Sequence, residues 1–133
     1  MYEELSNLIL AANVGIMIFF TIAVAPTIFT ILPQEWAAKY VRAFFPKYYA
    51  VLGVTTALSA ILAGTVAFRL ALIACAFFFF FSQFWITPTV NRARDEGRER
   101  TFKTLHTFSV VINMLQLAVF IWILYANFRH GAS

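Results

Sequence analysis

Thr104 to Phe128 reads TLHTFSVVINMLQLAVFIWILYANF, a stretch without one Asp, Glu, Lys or Arg. It exceeds the ~20 apolar residues that carry an α-helix across about 30 Å of hydrocarbon. Working back along the chain, Leu70 to Val90, Tyr48 to Phe68 and Leu5 to Leu32 are free of those charges in the same way. Their apolar residues run on continuously, whereas a barrel strand needs a polar residue at every second position. The sequence therefore predicts an all-α integral membrane fold, a four-helix up-and-down bundle in a single transmembrane domain over 1–133. The expected spans are about 5–32, 47–68, 70–90 and 102–128.

Composition agrees with that reading. Of 133 residues, 62% are hydrophobic and 12% charged, against roughly half and about a quarter in ordinary globular domains. A soluble fold of this size cannot bury so much apolar surface. The lone Cys75 excludes an intrachain disulfide and a cysteine-based zinc site. Glu3 and Glu4 stand where a cleavable signal carries basic residues, so the first span is expected to stay.

Charge sets the expected orientation. Lys39, Arg42 and Lys47 lie in the first connection, and Arg92, Arg94, Arg98, Arg100 and Lys103 in the third. Only Arg69 and Arg129 fall on the other side. The positive-inside bias places loops 33–47 and 91–103 in the cytoplasm and both termini outside it, in a cell inner membrane. The net charge of +4 is then an orientation signal. Asp95, Glu96 and Glu99 interrupt the basic loop at about 91–101, so nucleic acid is not an expected partner.

Between the first two spans, residues 34–45 carry Trp36, Tyr40 and Phe44 along one stripe, with Lys39 and Arg42 elsewhere. That pattern predicts a short interfacial helix. In the second span Gly53, Ala57, Ala60 and Gly64 form a small-residue face for helix packing. In the third, Phe77 to Phe81 cover more than one turn, so part of the run must face lipid or another protein, and Gln83 follows as an amide at membrane depth.

Polar residues inside the spans are the candidate site. Pro26 removes a helical hydrogen bond and frees a carbonyl near Ile22, which serves either a bend or a polar cavity. His106, Ser109, Asn113 and Gln116 share one face of the last span. Unpartnered polar groups in hydrocarbon each cost several kcal/mol, roughly, so this face must turn inward. It is either polar glue between helices or the lining of a pocket that opens towards the cytoplasm, with Tyr48, Gln83 and Arg94 as further members.

Several chemistries lack their residues. No carboxylate lies within a span, which argues against an ion-coupled pump. His106 and His130 are about 36 Å apart along one helix, which prevents them from jointly holding a haem. No metal cluster, activated nucleophile or phosphate-binding Gly-rich loop is present, so no metal, cofactor or catalytic residue is expected and an enzyme is disfavoured.

Three segments together resemble a known family: GIMIFFTIAVAPTIF from Gly15 to Phe29, Phe45-Pro46-Lys47-Tyr48-Tyr49, and FKTLHTFSVVINMLQL from Phe102 to Leu117, with Pro88 and the basic loop between. The chain is similar to the transmembrane protein 205-like family, also described as domain of unknown function 4149. The resemblance implies four membrane helices and singles out Pro26, Pro46, Tyr48, Arg94, His106, Ser109 and Asn113. It brings no reaction with it. On the residues alone the expected role is an accessory or interaction subunit of a membrane assembly, in lipid, with another membrane protein or a second copy as partner. The alternative is small-molecule or ion transport or resistance through a polar pocket around His106 and Asn113. A haem- or quinone-linked redox protein is a remote third.

Overall fold

The computed structural model describes residues 2–131, and the side chains of 2–129. The chain ends at 1, 132 and 133, and the His130 side chain used above in weighing haem, lie outside the described residues. Four helices follow one another: α1 Tyr2–Ile31, α2 Gln34–Leu62, α3 Val66–Asp95 and α4 Glu99–Gly131. All four are long and apolar enough to cross a membrane, and the described residues contain no strand.

Acidic residues sit where helix dipoles favour them, Glu3 and Glu4 in the first turn of α1, Glu35 in that of α2 and Glu99 in that of α4. The connections are tighter than the charge pattern suggests. Residues 34–45 are helical as expected, but they run straight on through Pro46 into the second span as one helix. The turn between α2 and α3 falls at residues 63–65, ahead of Arg69. Arg69 instead folds back, donating from Nη2 to the Ala63 carbonyl at 2.7 Å. The basic segment expected as a loop over 91–101 is largely helical as well. α3 ends in a Schellman motif, with Gly97 N–H on the Arg94 carbonyl (3.2 Å) and Arg98 N–H on the Ala93 carbonyl (2.9 Å). Gly97 takes φ +71°, a left-handed conformation that glycine adopts without penalty.

The helices form a ring in which α1 meets α2 and α4, and α3 meets α2 and α4, while the diagonal pairs do not approach within 8 Å at Cα. Leu10, Met17, Leu52, Leu72, Phe79 and Phe120 are fully buried at its centre. Inside lipid, apolar burial does not draw helices together, so close packing and interhelical hydrogen bonds must. Ser6 and Ser59 exchange bonds, Ser6 Oγ to the Ser59 carbonyl at 2.9 Å and Ser59 Oγ to the Ser6 carbonyl at 3.1 Å. Asn13 donates to Thr56 Oγ1 (3.2 Å) and accepts from Thr55 Oγ1 (3.0 Å). Asn127 donates to Asn7 at 2.7 Å and ties α4 to α1.

The chain repeats itself. A π-helical turn interrupts α1 at Phe20–Val24 and another interrupts α3 at Ser82–Ile86. Each precedes an x-Pro-Thr sequence, Ala25-Pro26-Thr27 and Thr87-Pro88-Thr89. One register shift superposes both, and it also carries buried Leu10 onto Leu72, Asn13 onto Cys75 and Met17 onto Phe79. The chain is thus two helical hairpins in tandem, each opened by a helix with a π turn. The physical cause of the turn is proline, which has no N–H to give and crowds the preceding carbonyls, so the wider turn takes up the mismatch. Ala25 N–H bonds the Phe20 carbonyl, and Thr87 N–H bonds that of Ser82.

The π turn has a consequence for α1. Residues 2–19 run beside α2 and α4, but no Cα of residues 20–31 comes within 8 Å of α4. Aromatic rings bridge from α1 to α2 at this level, Phe20 stacking on Phe44 at 5.1 Å and tilting against Tyr48 at 4.9 Å. Towards α4 the space stays open.

Candidate functional site

That space is a cavity of about 480 Å³, within the ~300–1,000 Å³ of small-molecule sites. Its α1 wall is Phe20, Thr21, Ala25 and Phe29, and its α2 wall is Val41, Phe45, Tyr48 and Tyr49. α3 contributes Ile86, Thr87, Val90, Asn91 and Arg94, and α4 contributes Phe102, His106, Ser109, Val110, Asn113 and Met114. Aromatic and aliphatic groups dominate, with a few polar atoms set among them.

Five of the sequence candidates meet here: Tyr48, Arg94, His106, Ser109 and Asn113. Helical spacing explains the three on α4. Ser109 and Asn113 lie about 60° and 20° around the helix from His106, whereas Gln116 is turned by about 80°. Gln116 is only about 20° from Ser109 around the helix but roughly 10 Å further along it, beyond the cavity, and donates from Nε2 to the Cys75 carbonyl at 2.8 Å, a buried bond between α4 and α3. Gln83 sits in the second π turn, outside the cavity lining, with its Oε1 buried and unpartnered. Pro26 is exposed and, like Ile22, is absent from the lining.

The polar atoms in the cavity differ in how they are satisfied. Tyr49 and Ser109 share a hydrogen bond at 3.2 Å, and Thr21 donates to the Met17 carbonyl at 2.8 Å. The His106 ring stacks on Phe102 at 5.9 Å, nearly parallel at 7°, on an exposed edge. The Tyr48 hydroxyl and Asn113 Oδ1 are buried and lack a hydrogen-bond partner. The two side chains face each other closely enough to interact, without a well-formed hydrogen bond between them.

Towards the basic end the cavity continues past Phe29, Arg94 and Phe102 into a polar vestibule of about 750 Å³, lined also by Gln34, Arg98, Glu99 and Lys103. The Arg94 guanidinium lies over the Phe102 ring at 5.8 Å. Beside it Arg42 pairs with Asp95 and donates to the Asn91 carbonyl at 3.4 Å, joining α2 to α3. The same guanidinium holds the Asp95 carboxyl below its ordinary value.

The small-residue face of α2 is divided by the structure. Gly53 and Ala60 are buried and Ala57 half-buried. A Cβ on Gly53 would meet Phe80 Cζ at 2.9 Å. Gly64 lies beyond the helix end, where the Glu3 side chain fills the place of a Cβ. In the phenylalanine run, Phe79 is in the core, while Phe77 and Phe78 stand outward. Among the described residues no group of three or more His, Cys, Asp or Glu is placed to hold a metal.

Sequence reasoning missed Phe20, Phe29 and Phe102, which shape the cavity but carry no polar signal. It also missed Asn91, which reads as part of a loop.

No curated protein and no solved structure matches the chain. The sequence model of the family described as Domain of unknown function (DUF4149) matches residues 8–99, a stretch that holds Tyr48 and Arg94 and ends before His106, and the chain belongs to that family.

Proposed function

We propose that this membrane protein binds a small, mostly apolar molecule bearing a hydrogen-bonding group, in the cavity between its two helical hairpins, and handles or transports it within the bilayer. The observation that carries the reading is the pair of buried polar groups on the cavity wall, Tyr48 OH and Asn113 Oδ1, which face each other without a well-formed hydrogen bond. An unsatisfied buried group costs about 1–3 kcal/mol, and a bound molecule that bonds to it removes that cost. The tandem hairpins add support, since sites between internal repeats recur in transporters. Positive-inside bias places the vestibule in the cytoplasm and both chain ends opposite, in an inner membrane.

The test is native mass spectrometry of the protein released from its own membranes. Wild type is expected to carry a small molecule at one per chain, and Asn113→Leu and Tyr48→Phe to lose it while still folding. A bare wild-type chain, or variants that keep the molecule, would sink the reading. The accessory-subunit role ranks second. It draws on the outward Phe77, Phe78 and Phe84 rings, which lipid covers equally well, and it requires a stoichiometric protein partner in the same spectrum.

A further inference from the structure

The cavity has a side opening as well as a vestibule. On α1 its edge is Thr21, Ala25 and Phe29, one residue per turn. On α4 the opposite edge is Phe102, His106, Val110 and Met114. Thr21, Phe29, His106, Val110 and Met114 are all exposed, and residues 20–31 keep more than 8 Å from α4 at Cα. From Phe102 to Met114 the slot runs about 18 Å along the helix, roughly one leaflet of a hydrocarbon core about 30 Å thick. A slot at that depth faces acyl chains, while its basic end meets the headgroup level.

Charge at that end is net positive, with Glu99 also in the vestibule lining and Asp95 feeling Arg94 without pairing to it. Arg94 forms no ion pair among the described residues, where Arg42 is matched by Asp95 and Arg98 by Glu96. Arg94 lines both the apolar cavity and the polar vestibule, and Lys103 lines the vestibule beside it. An unmatched guanidinium between an apolar chamber and water is suited to a carboxylate or phosphate whose tail lies in the chamber.

We infer that the ligand is a membrane-resident amphiphile with an anionic headgroup, that it enters sideways from the lipid between α1 and α4, and that Arg94 holds its head. The inference rests on the binding reading above and adds the ligand's charge and its route. The tail lies along the walls from Phe29 to Asn113 and carries the hydrogen-bonding group that meets Tyr48 and Asn113, while the head stays at the basic end of the slot, at the membrane surface. Arg94 is a binding residue in this account, and Phe102 holds its guanidinium in place from below.

Equilibrium binding in nanodiscs of neutral phosphatidylcholine tests it, with hexadecanoate, hexadecyl phosphate and hexadecan-1-ol as probes. At least one anionic probe is expected to bind wild type about tenfold more tightly than the alcohol, the scale of one partly exposed charge-assisted contact. The tighter of the two identifies the headgroup as carboxylate or phosphate. Arg94→Gln should erase the difference and leave the alcohol unaffected. Arg129→Gln at the far end of α4 should change nothing, which separates the site from general attraction to a basic protein. Val110→Trp, which fills the slot, should weaken all three probes at an unchanged melting temperature. Equal binding of all three probes, insensitive to Arg94, overturns the anionic headgroup and leaves the cavity reading standing. Binding insensitive to Val110→Trp overturns the lateral route. No binding of any probe overturns the inference, while the reading beneath it, which turns on a group bonded to Tyr48 and Asn113, stands or falls on the native mass spectrum.

Discussion

Two asparagines in this bundle should respond oppositely to the same substitution. Asn13 is buried with both ends of its amide bonded, to Thr56 at 3.2 Å and from Thr55 at 3.0 Å. Asn113 is half-buried on the cavity wall, and its Oδ1 has no partner. Leucine is close to asparagine in size, so each change mainly removes polarity. Interhelical bonds in membranes average about 0.6 kcal/mol, so Asn13→Leu should cost about 1 kcal/mol from two of them. Asn113→Leu removes a buried acceptor whose unmet cost is about 1–3 kcal/mol. With part of the residue exposed, a gain of about 1 kcal/mol is expected. For a chain of this length either change shifts the melting temperature by roughly 4 °C, downward for Asn13→Leu and upward for Asn113→Leu. The assay is thermal unfolding in one mild detergent after exhaustive delipidation, so that a retained ligand does not mask the gain. The reasoning fails if Asn113→Leu destabilises as much as Asn13→Leu, because Asn113 would then be glue between helices. A gain of stability joined to a loss of binding is the usual mark of a residue kept for function.

Three further outcomes follow from the fold. Gly53→Leu should destabilise by about 2 kcal/mol through overpacking; Gly53→Ala should be near neutral, because the contact at 2.9 Å is with the far end of the Phe80 ring, which can swing outward, and denaturant titration separates the two. Gly97→Ala, at φ +71° in the Schellman turn, should cost about 1 kcal/mol in the same titration. Asp95 is held below its ordinary value by Arg42, so its contribution is present above the ordinary carboxylate value of about 3.9 and is lost as pH falls through the lower native one. Stability measured against pH should show that acid loss in wild type and much less of it in Arg42→Gln, where only the longer-range field of Arg94 still acts on Asp95.

The fold was legible because hydrocarbon thickness and charge are both written into the chain. Charge-free stretches marked four helices, since a charge inside lipid is too costly to leave unplaced. Charge did not mark the turns. Arg69 lies a full turn inside α3 because its long side chain reaches back to the Ala63 carbonyl. Pro46 looked like a boundary, yet α2 runs through it. The π turns carried a signal that composition overlooks, the repeated x-Pro-Thr at Pro26 and Pro88. On α4 periodicity placed His106, Ser109 and Asn113 together, and Gln116, nearly in line with Ser109 but about two turns further along the helix, lies past the cavity and bonds α3 instead. The cavity itself was not legible. It exists because α1 parts from α4 after Phe20, and that separation depends on how three other helices pack.

Function here depends on whether the space between Phe20, Tyr48 and Asn113 belongs to a ligand. A crystal structure of the protein carried from its own membrane into a lipidic mesophase measures this directly. Elongated density is expected in the cavity, within hydrogen-bonding distance of Tyr48 or Asn113 and reaching towards Arg94. A closed cavity, with Tyr48 bonded to Asn113 and α1 packed against α4 beyond Phe20, would contradict it.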